Sequence, residues 1–197
     1  MILTQFQSIG RALSTRGLVS SHSGNLSVRL GERLIITKRG SMLGSLEEHD
    51  LVETGIDRND RHTPLASTEL NTHRAIYQRT PGMAVVHAHC PHTVALSFTE
   101  KVIVPRDLEG MGVLQKVPVV RLSASSGGKT LEDLISDALS ESRIVVVEGH
   151  GTFAIGQLLE EACHVTTALE ESCHILYLLK ASGPRAAVRG SGARLRS

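Results

Sequence analysis

Short apolar runs of strand length alternate with helical patterns along most of this chain, and that alternation limits the fold more than any other feature. "LSVRL" (26–30) and "RLIITK" (33–38) read as the arms of a hairpin joined by Gly31-Glu32. "SLEEHDLVETGI" gives a helical turn and then a strand. "AVVHAH", "VPVVRL" and "RIVVVEGHG" supply further strands. Ile2, Leu3, Phe6, Ile9 and Leu13 follow helical spacing, with Gly17 as a stop. Ser67 and Thr68 are placed to cap a helix through about Arg79, on which Leu70, His73, Ile76 and Tyr77 recur at helical spacing. A helix should follow the histidine cluster through Leu96. Thr130 and Asp133 resemble a capping box for "LEDLISDAL", and the last strong helix is 158–180. No repeat or linker interrupts this series. The expectation is one α/β domain over residues 1–182, with helices covering a sheet. Residues 183–197 are Arg-rich and lack acids, and are expected to form a mobile tail.

Composition excludes several functions. A formal net charge of +1 gives no global attraction to nucleic acid or to an anionic membrane. With no Trp, two Tyr and three Phe, stacking on bases is unsupported. The run "IVVV" is far too short to span a bilayer. The opening "MILTQFQSIGRALSTRG" is broken by Gln, Ser and Arg and does not read as a signal peptide. Three cysteines without a C-x-x-C argue against a disulfide framework, so a cytoplasmic location is expected.

The chemistry concentrates in "AVVHAHCPH". Residues i and i+2 of a strand share a face, so His87 and His89 can converge on one ion while Cys90 points the other way. Two surface histidines on a half-exposed strand would give the same pattern. His92 lies past the strand end. A third ligand must come from elsewhere, and His150, set between two glycines after an apolar strand, is a candidate. Glu69 is a carboxylate candidate in a helix first turn. His73 follows it by one turn, either as a second ligand or as an i,i+4 partner on an exposed face.

"LEEACH" (159–164) and "LEESCH" (169–174) look like a repeated metal motif but cannot be one. Ten helical residues separate the copies by about 80° and about 15 Å. Leu158, Ala162, Val165, Leu169, Leu176 and Leu179 instead mark a core face, and both cysteines are expected to be structural. "SHSGNLS" (21–27), "TKRG" (37–40) and "AST" (66–68) are small, polar turns. Their N–H groups, with Lys38 and Arg39, could hold a phosphate, although each alone could be an ordinary turn.

In order, G-N-x-S, I-T-x-x-G, S-[ST]-E-x-x-x-H, V-V-H-x-H, G-H-G and a long L-E-E-A helix resemble the class II aldolase/adducin-head superfamily, most of all its short fuculose-phosphate aldolase branch. The likeness runs from about Ile9 to Leu179. It implies a three-layer α/β/α sandwich around a mainly antiparallel sheet. It implies one divalent metal per subunit, Zn2+ or else Mn2+ or Co2+, on His87, His89 and His150. Glu69 would ligate the metal in the empty site and act as base when substrate displaces it. Gly24, Asn25, Arg39, Gly40, Ser67 and Thr68 would cradle a substrate phosphate. A homotetramer with sites at subunit interfaces is implied, as is cleavage of a ketose 1-phosphate to dihydroxyacetone phosphate and an aldehyde. The chain departs from the family pattern where a neighbouring subunit supplies a tyrosine as proton donor. "VPRDLEGMG" stands there, with Glu109 or Asp107 nearest, and Glu109 is the candidate acid/base group. A dehydratase, epimerase or decarboxylase on the same scaffold, or a non-catalytic module like the adducin head, are the alternatives.

Overall fold

A computed structural model describes residues 2–123 and 126–182. Its elements in chain order are α1 (Ile2–Thr15), β1 (Asn25–Leu30), β2 (Arg33–Thr37), β3 (Leu51–Gly55), α2 (Leu70–Arg79), β4 (Ala84–Ala88), α3 (Pro91–Ser97), β5 (Val102–Ile103), α4 (Leu108–Val113), β6 (Val117–Val120), α5 (Leu131–Leu139), β7 (Ile144–Val147), β8 (Gly151–Gly156) and α6 (Leu159–Ala181). The eight strands form one sheet in the order β3-β2-β1-β4-β8-β7-β6-β5. Every pairing is antiparallel except β6 with β7. The tail from 183 lies outside the described residues.

The period-2 pattern of the strands divides the core in two. Ala84, Val86 and Ala88 of β4 join Phe6, Leu13, Val165 and Leu169, on the side of α1, α3 and α6. Val85, Val145 and Phe153 face the other way, against Ile76, Tyr77, Ile135 and Leu139 of α2 and α5. Helices therefore cover both faces, which is the three-layer α/β/α arrangement, with a mostly antiparallel sheet. The β1–β2 hairpin pairs Leu30 with Arg33 across Gly31-Glu32. The Thr130–Asp133 capping box forms as expected.

Two local expectations change. The helix after Ser67-Thr68 begins at Leu70, with Glu69 at the N-cap and no side-chain cap. Ser67 ties down the turn ahead of the helix: its N–H donates to the Thr37 carbonyl at 3.1 Å and its Oγ accepts from the Glu69 N–H at 3.3 Å. Ala162, Val165 and Leu169 of α6 are buried, but Leu158, the residue that precedes the helix as its N-cap, and Leu179 are exposed. A 23-residue helix rises about 34 Å, while a six-residue strand spans about 20 Å; Leu159 at the start of α6 is buried, and the excess length lies at the C-terminal end, exposed from Tyr177 on. The short elements β5 and α4 carry no clear periodicity in the sequence.

Candidate metal centre and active site

His87 lies on β4, on the sheet face that carries α2 and α5. Its ring stacks on Phe153 of β8 at 4.2 Å between centroids, and it is wholly buried. Its Nδ1 lies 2.9 Å from the Thr152 carbonyl oxygen. A carbonyl only accepts, so Nδ1 carries the proton. In the neutral ring Nε2 is then a bare lone pair. Two other imidazole nitrogens approach it: His89 Nε2 at 2.9 Å and His150 Nε2 at 3.1 Å.

His150 reaches this point through a tight turn. Its N–H donates to the Val147 carbonyl, and Gly149 adopts φ +70°, a conformation natural to glycine. A Cβ on Gly151 would lie 2.3 Å from the Ala88 carbonyl oxygen, so only glycine allows β8 to start that close to β4. The two glycines thus bring His150 beside a pair that lies more than 60 residues earlier in the chain.

Glu69 completes the cluster. Its Oε2 is 3.0 Å from His87 Nε2 and its Oε1 is 3.2 Å from His150 Nε2. Burial works to raise this carboxyl, but the His150 hydrogen bond, the His87 ring and the Asn25 amide more than offset it and hold it below the usual carboxylate range. Burial pushes His87 and His89 down from the ordinary imidazole value, while the hydrogen bond to Glu69 raises His150.

The donor set fits a divalent ion. Three histidine donor atoms lie within 4.8 Å of one another, the one such group among the described residues. Zn–N bonds of 2.0–2.1 Å in a tetrahedron put neighbouring nitrogens about 3.3 Å apart, close to the two separations measured from His87 Nε2. A neutral His87 offers only a lone pair to the centre, which a cation would satisfy. Three protein nitrogens leave room for an exchangeable ligand.

The remaining predicted residues divide. His92 is outside the cluster: it sits on α3 and bonds to Glu170. Cys90 points into the opposite core layer, and Cys163 and Cys173 are buried there too. His73 is neither a metal ligand nor exposed; it is fully buried, 2.5 Å from Asn25 Oδ1 and 2.6 Å from Ser27 Oγ. Arg39 and Gly40 come close to Ser67 and Thr68 because the two loops are paired: Arg39 N–H donates to Leu65 and Ser67 N–H to Thr37. Arg39, Ser67 and Thr68 line one cleft with Asn71 and Arg74. Gly24 and Asn25 begin β1 alongside, but the Asn25 side chain is committed to Glu69 (2.6 Å) and His73. Glu109 is exposed on α4, a helix that packs on α6, and Asp107 caps that helix by accepting from the Gly110 N–H. Neither belongs to the histidine cluster of its own chain.

The sequence reading missed Ser27, Tyr77 and Glu170. Period-2 spacing from Asn25 places Ser27 on the same face, and one helical turn separates His73 from Tyr77; those two signals were available. Glu170 lies far along the chain from its partners, and its burial had no local signature.

The model of the class II aldolase and adducin N-terminal domain matches residues 4–177. The chain belongs to this family. L-fuculose phosphate aldolase of Methanocaldococcus jannaschii is 31% identical over 160 residues, covering 80% of this chain and 86% of that protein. 3-oxo-tetronate 4-phosphate decarboxylase of Escherichia coli K12 is 28% identical, covering 96% of this chain and 92% of that protein. The crystal structure of L-fuculose-1-phosphate aldolase from Thermus thermophilus superposes with a TM-score of 0.86 at 34% identity, over 96% of this chain and 98% of that one. Family membership supports a lyase, and the three histidines are its possible metal site.

Proposed function

We infer that the protein is a zinc-dependent aldolase that reversibly cleaves a ketose 1-phosphate, such as L-fuculose 1-phosphate or a 5-deoxypentulose phosphate, to dihydroxyacetone phosphate and an aldehyde. The observation that carries this reading is the convergence of His87, His89 and His150 beside an ionised Glu69. A divalent cation held by the three histidines would polarise the substrate ketone and stabilise the negative charge that develops as the carbon–carbon bond breaks.

The chain's own groups divide the remaining work. Arg39, Ser67 and Thr68, with the backbone at Gly24, Asn25 and Gly40, hold the phosphate and fix the ketose relative to Glu69. In the condensation direction Glu69 removes the proton from the hydroxymethyl carbon of dihydroxyacetone phosphate. Glu109 of a neighbouring subunit gives a proton to the aldehyde oxygen as the new bond forms. Cleavage runs both transfers backwards. This assignment needs a homotetramer with sites at subunit interfaces. Exposed Leu108 and Met111 flank Glu109 and suit such an interface. The three free, buried cysteines accord with a cytoplasmic enzyme. Among the described residues, no helix is long and apolar enough to cross a membrane.

The test supplies L-fuculose, L-rhamnulose and 5-deoxyribulose 1-phosphates to zinc-loaded protein and measures dihydroxyacetone phosphate. Turnover of one supports the reading; turnover of none, with metal bound, refutes it. The decarboxylase relatives and the glutamate in place of a tyrosine favour one second reading, a sugar-phosphate decarboxylase, dehydratase or epimerase on the same site. Carbon dioxide release from 3-oxo-tetronate 4-phosphate would identify the first of these. A protein that takes up no stoichiometric metal would instead be a non-catalytic module.

A further inference from the structure

Behind Glu69 runs an unbroken line of buried polar groups that the aldolase chemistry does not use. Asn25 Nδ2 is 2.6 Å from Glu69 Oε2, and Asn25 Oδ1 is 2.5 Å from His73 Nε2. His73 Nδ1 is 2.6 Å from Ser27 Oγ, and Ser27 Oγ is 2.6 Å from the Tyr77 hydroxyl. Ser27 and His73 are fully buried, and Tyr77 is 1% exposed.

Hydrogen-bond chemistry fixes the direction of the links from Glu69 to His73 Nε2, and full burial of the His73 ring sets the rest. A carboxylate only accepts, so the Asn25 amide presents its NH2 to Glu69. Its oxygen then faces His73 and can only accept, so Nε2 carries the His73 proton. Burial pushes His73 down to about 4, so the ring is neutral and Nδ1 is an acceptor. Ser27 must donate to Nδ1, which leaves its oxygen to accept from Tyr77. Burial raises the Tyr77 hydroxyl, which keeps its proton.

We propose that His73 is a positioning residue: with Ser27 and Tyr77 it locks the Asn25 amide, which pins Glu69 Oε2 and leaves Oε1 as the oxygen that exchanges the substrate proton. The inference rests on the aldolase reading for the proton transfer, but not for the geometry of the line. Oε1 lies on the His150 side and has no link to this line. An oxygen fixed by this line, with the other facing His150 across the centre, is what a base needs if its rotamer must not drift when substrate enters. The spacing makes the device possible. Asn25 and Ser27 share one face of β1, and Glu69, His73 and Tyr77 recur at four-residue intervals at and along α2, so strand and helix meet as a zipper of side chains.

The first test uses nitrogen-15 NMR of histidine-labelled, zinc-loaded protein without substrate. His73 should be neutral, with a protonated Nε2 and an unprotonated Nδ1; a protonated Nδ1 would overturn the proposal. The second test uses His73→Leu. Its kcat should fall about 10–100-fold, with KM within about threefold and metal content unchanged, the pattern of a group needed for the chemical step. His73→Gln, which keeps a donor, should recover part of the loss. The visible spectrum of cobalt-substituted His73→Leu should differ from wild type, because Glu69 is no longer held. Unchanged kcat and cobalt spectrum would refute the positioning role. If wild-type protein cleaves no ketose phosphate, the aldolase reading fails, while the tautomer and the cobalt spectrum still decide the relay. Should His73→Leu not fold, Ser27→Ala and Tyr77→Phe carry the same measurements with smaller expected losses.

Discussion

The Nδ1 of His87 lies 2.9 Å from the carbonyl oxygen of Thr152 on the neighbouring strand. This contact fixes the tautomer and aims Nε2 at His89, His150 and Glu69. Orientation of a ligand imidazole by a backbone carbonyl is a common support for metal sites. His87→Ala, His89→Ala and His150→Ala should each abolish stoichiometric metal in the purified protein, measured by elemental analysis. His92→Ala should retain it, because His92 bonds to Glu170 instead. Loss of metal from His92→Ala would refute the ligand assignment.

Metal removal should also lower stability. A ligand that binds only the folded chain stabilises it by about 2.7 kcal/mol at one hundred times its Kd. In a chain of this size that corresponds to about 5–10 °C in Tm. A chelator should therefore lower the melting temperature of wild-type protein and leave that of His87→Ala unchanged. Equal shifts in the two proteins would place the metal elsewhere.

His73 sets a pH dependence that can be read without activity. Burial holds it at about 4 in the folded chain, below the ordinary value of 6.5. Above pH 6.5 both states are neutral and the group contributes no slope. Between about 6.5 and 4 the unfolded chain binds a proton that the folded chain refuses, so stability falls as pH falls. The full loss is about 3 kcal/mol. Denaturant titrations of metal-free wild type and His73→Gln should converge in slope above pH 7 and diverge below 6.5, with the variant losing less. Parallel curves would show that His73 titrates normally.

The same residue shows where sequence reading stops. Periodicity placed most of the strands and helices, though not β5, α4 or β8, and the His87–His89 pair, because those features depend on neighbours two to four positions away. The turn glycines flagged His150, since a sharp turn needs them. The Glu69–His73 spacing misled, because an i,i+4 pair on a helix says nothing about what lies opposite it. His73 faces Asn25 and Ser27, more than 45 residues earlier, and only the β1–β4–β8 register brings α2 over them. Glu109 stands outside the histidine cluster of its own chain, and the sequence holds no signal for whether a second subunit brings it to a site.

Glu170 offers a structural prediction. Its Oε1 accepts from the His92 N–H and faces His92 Nδ1 at 2.8 Å, and its Oε2 accepts from the Thr93 N–H and hydroxyl. One carboxylate of α6 thus satisfies the free N–H groups at the start of α3. Glu170→Ala strands these buried donors and should cost about 3 kcal/mol, or about 6–12 °C in Tm. Metal content at low temperature should persist, since the histidine cluster lies on the other face of the sheet. A shift under 2 °C, or loss of metal in the folded variant, would refute this account.

Subunit mixing tests where Glu109 acts. It is exposed on α4 and stands apart from the histidines of its own chain. If it serves a neighbour's site, each active centre draws its metal ligands from one subunit and Glu109 from another. His87→Ala alone should be inactive for want of metal. Glu109→Gln alone should keep its metal and lose turnover. When the two are unfolded together in equal amounts and reassembled, a centre works if its histidines come from the Glu109→Gln chain and its acid from the His87→Ala chain. Random assembly produces that combination at about one site in four, so about a quarter of wild-type activity should return. Recovery of none of it, from mixtures shown to exchange subunits, would confine Glu109 to its own chain or remove it from the reaction.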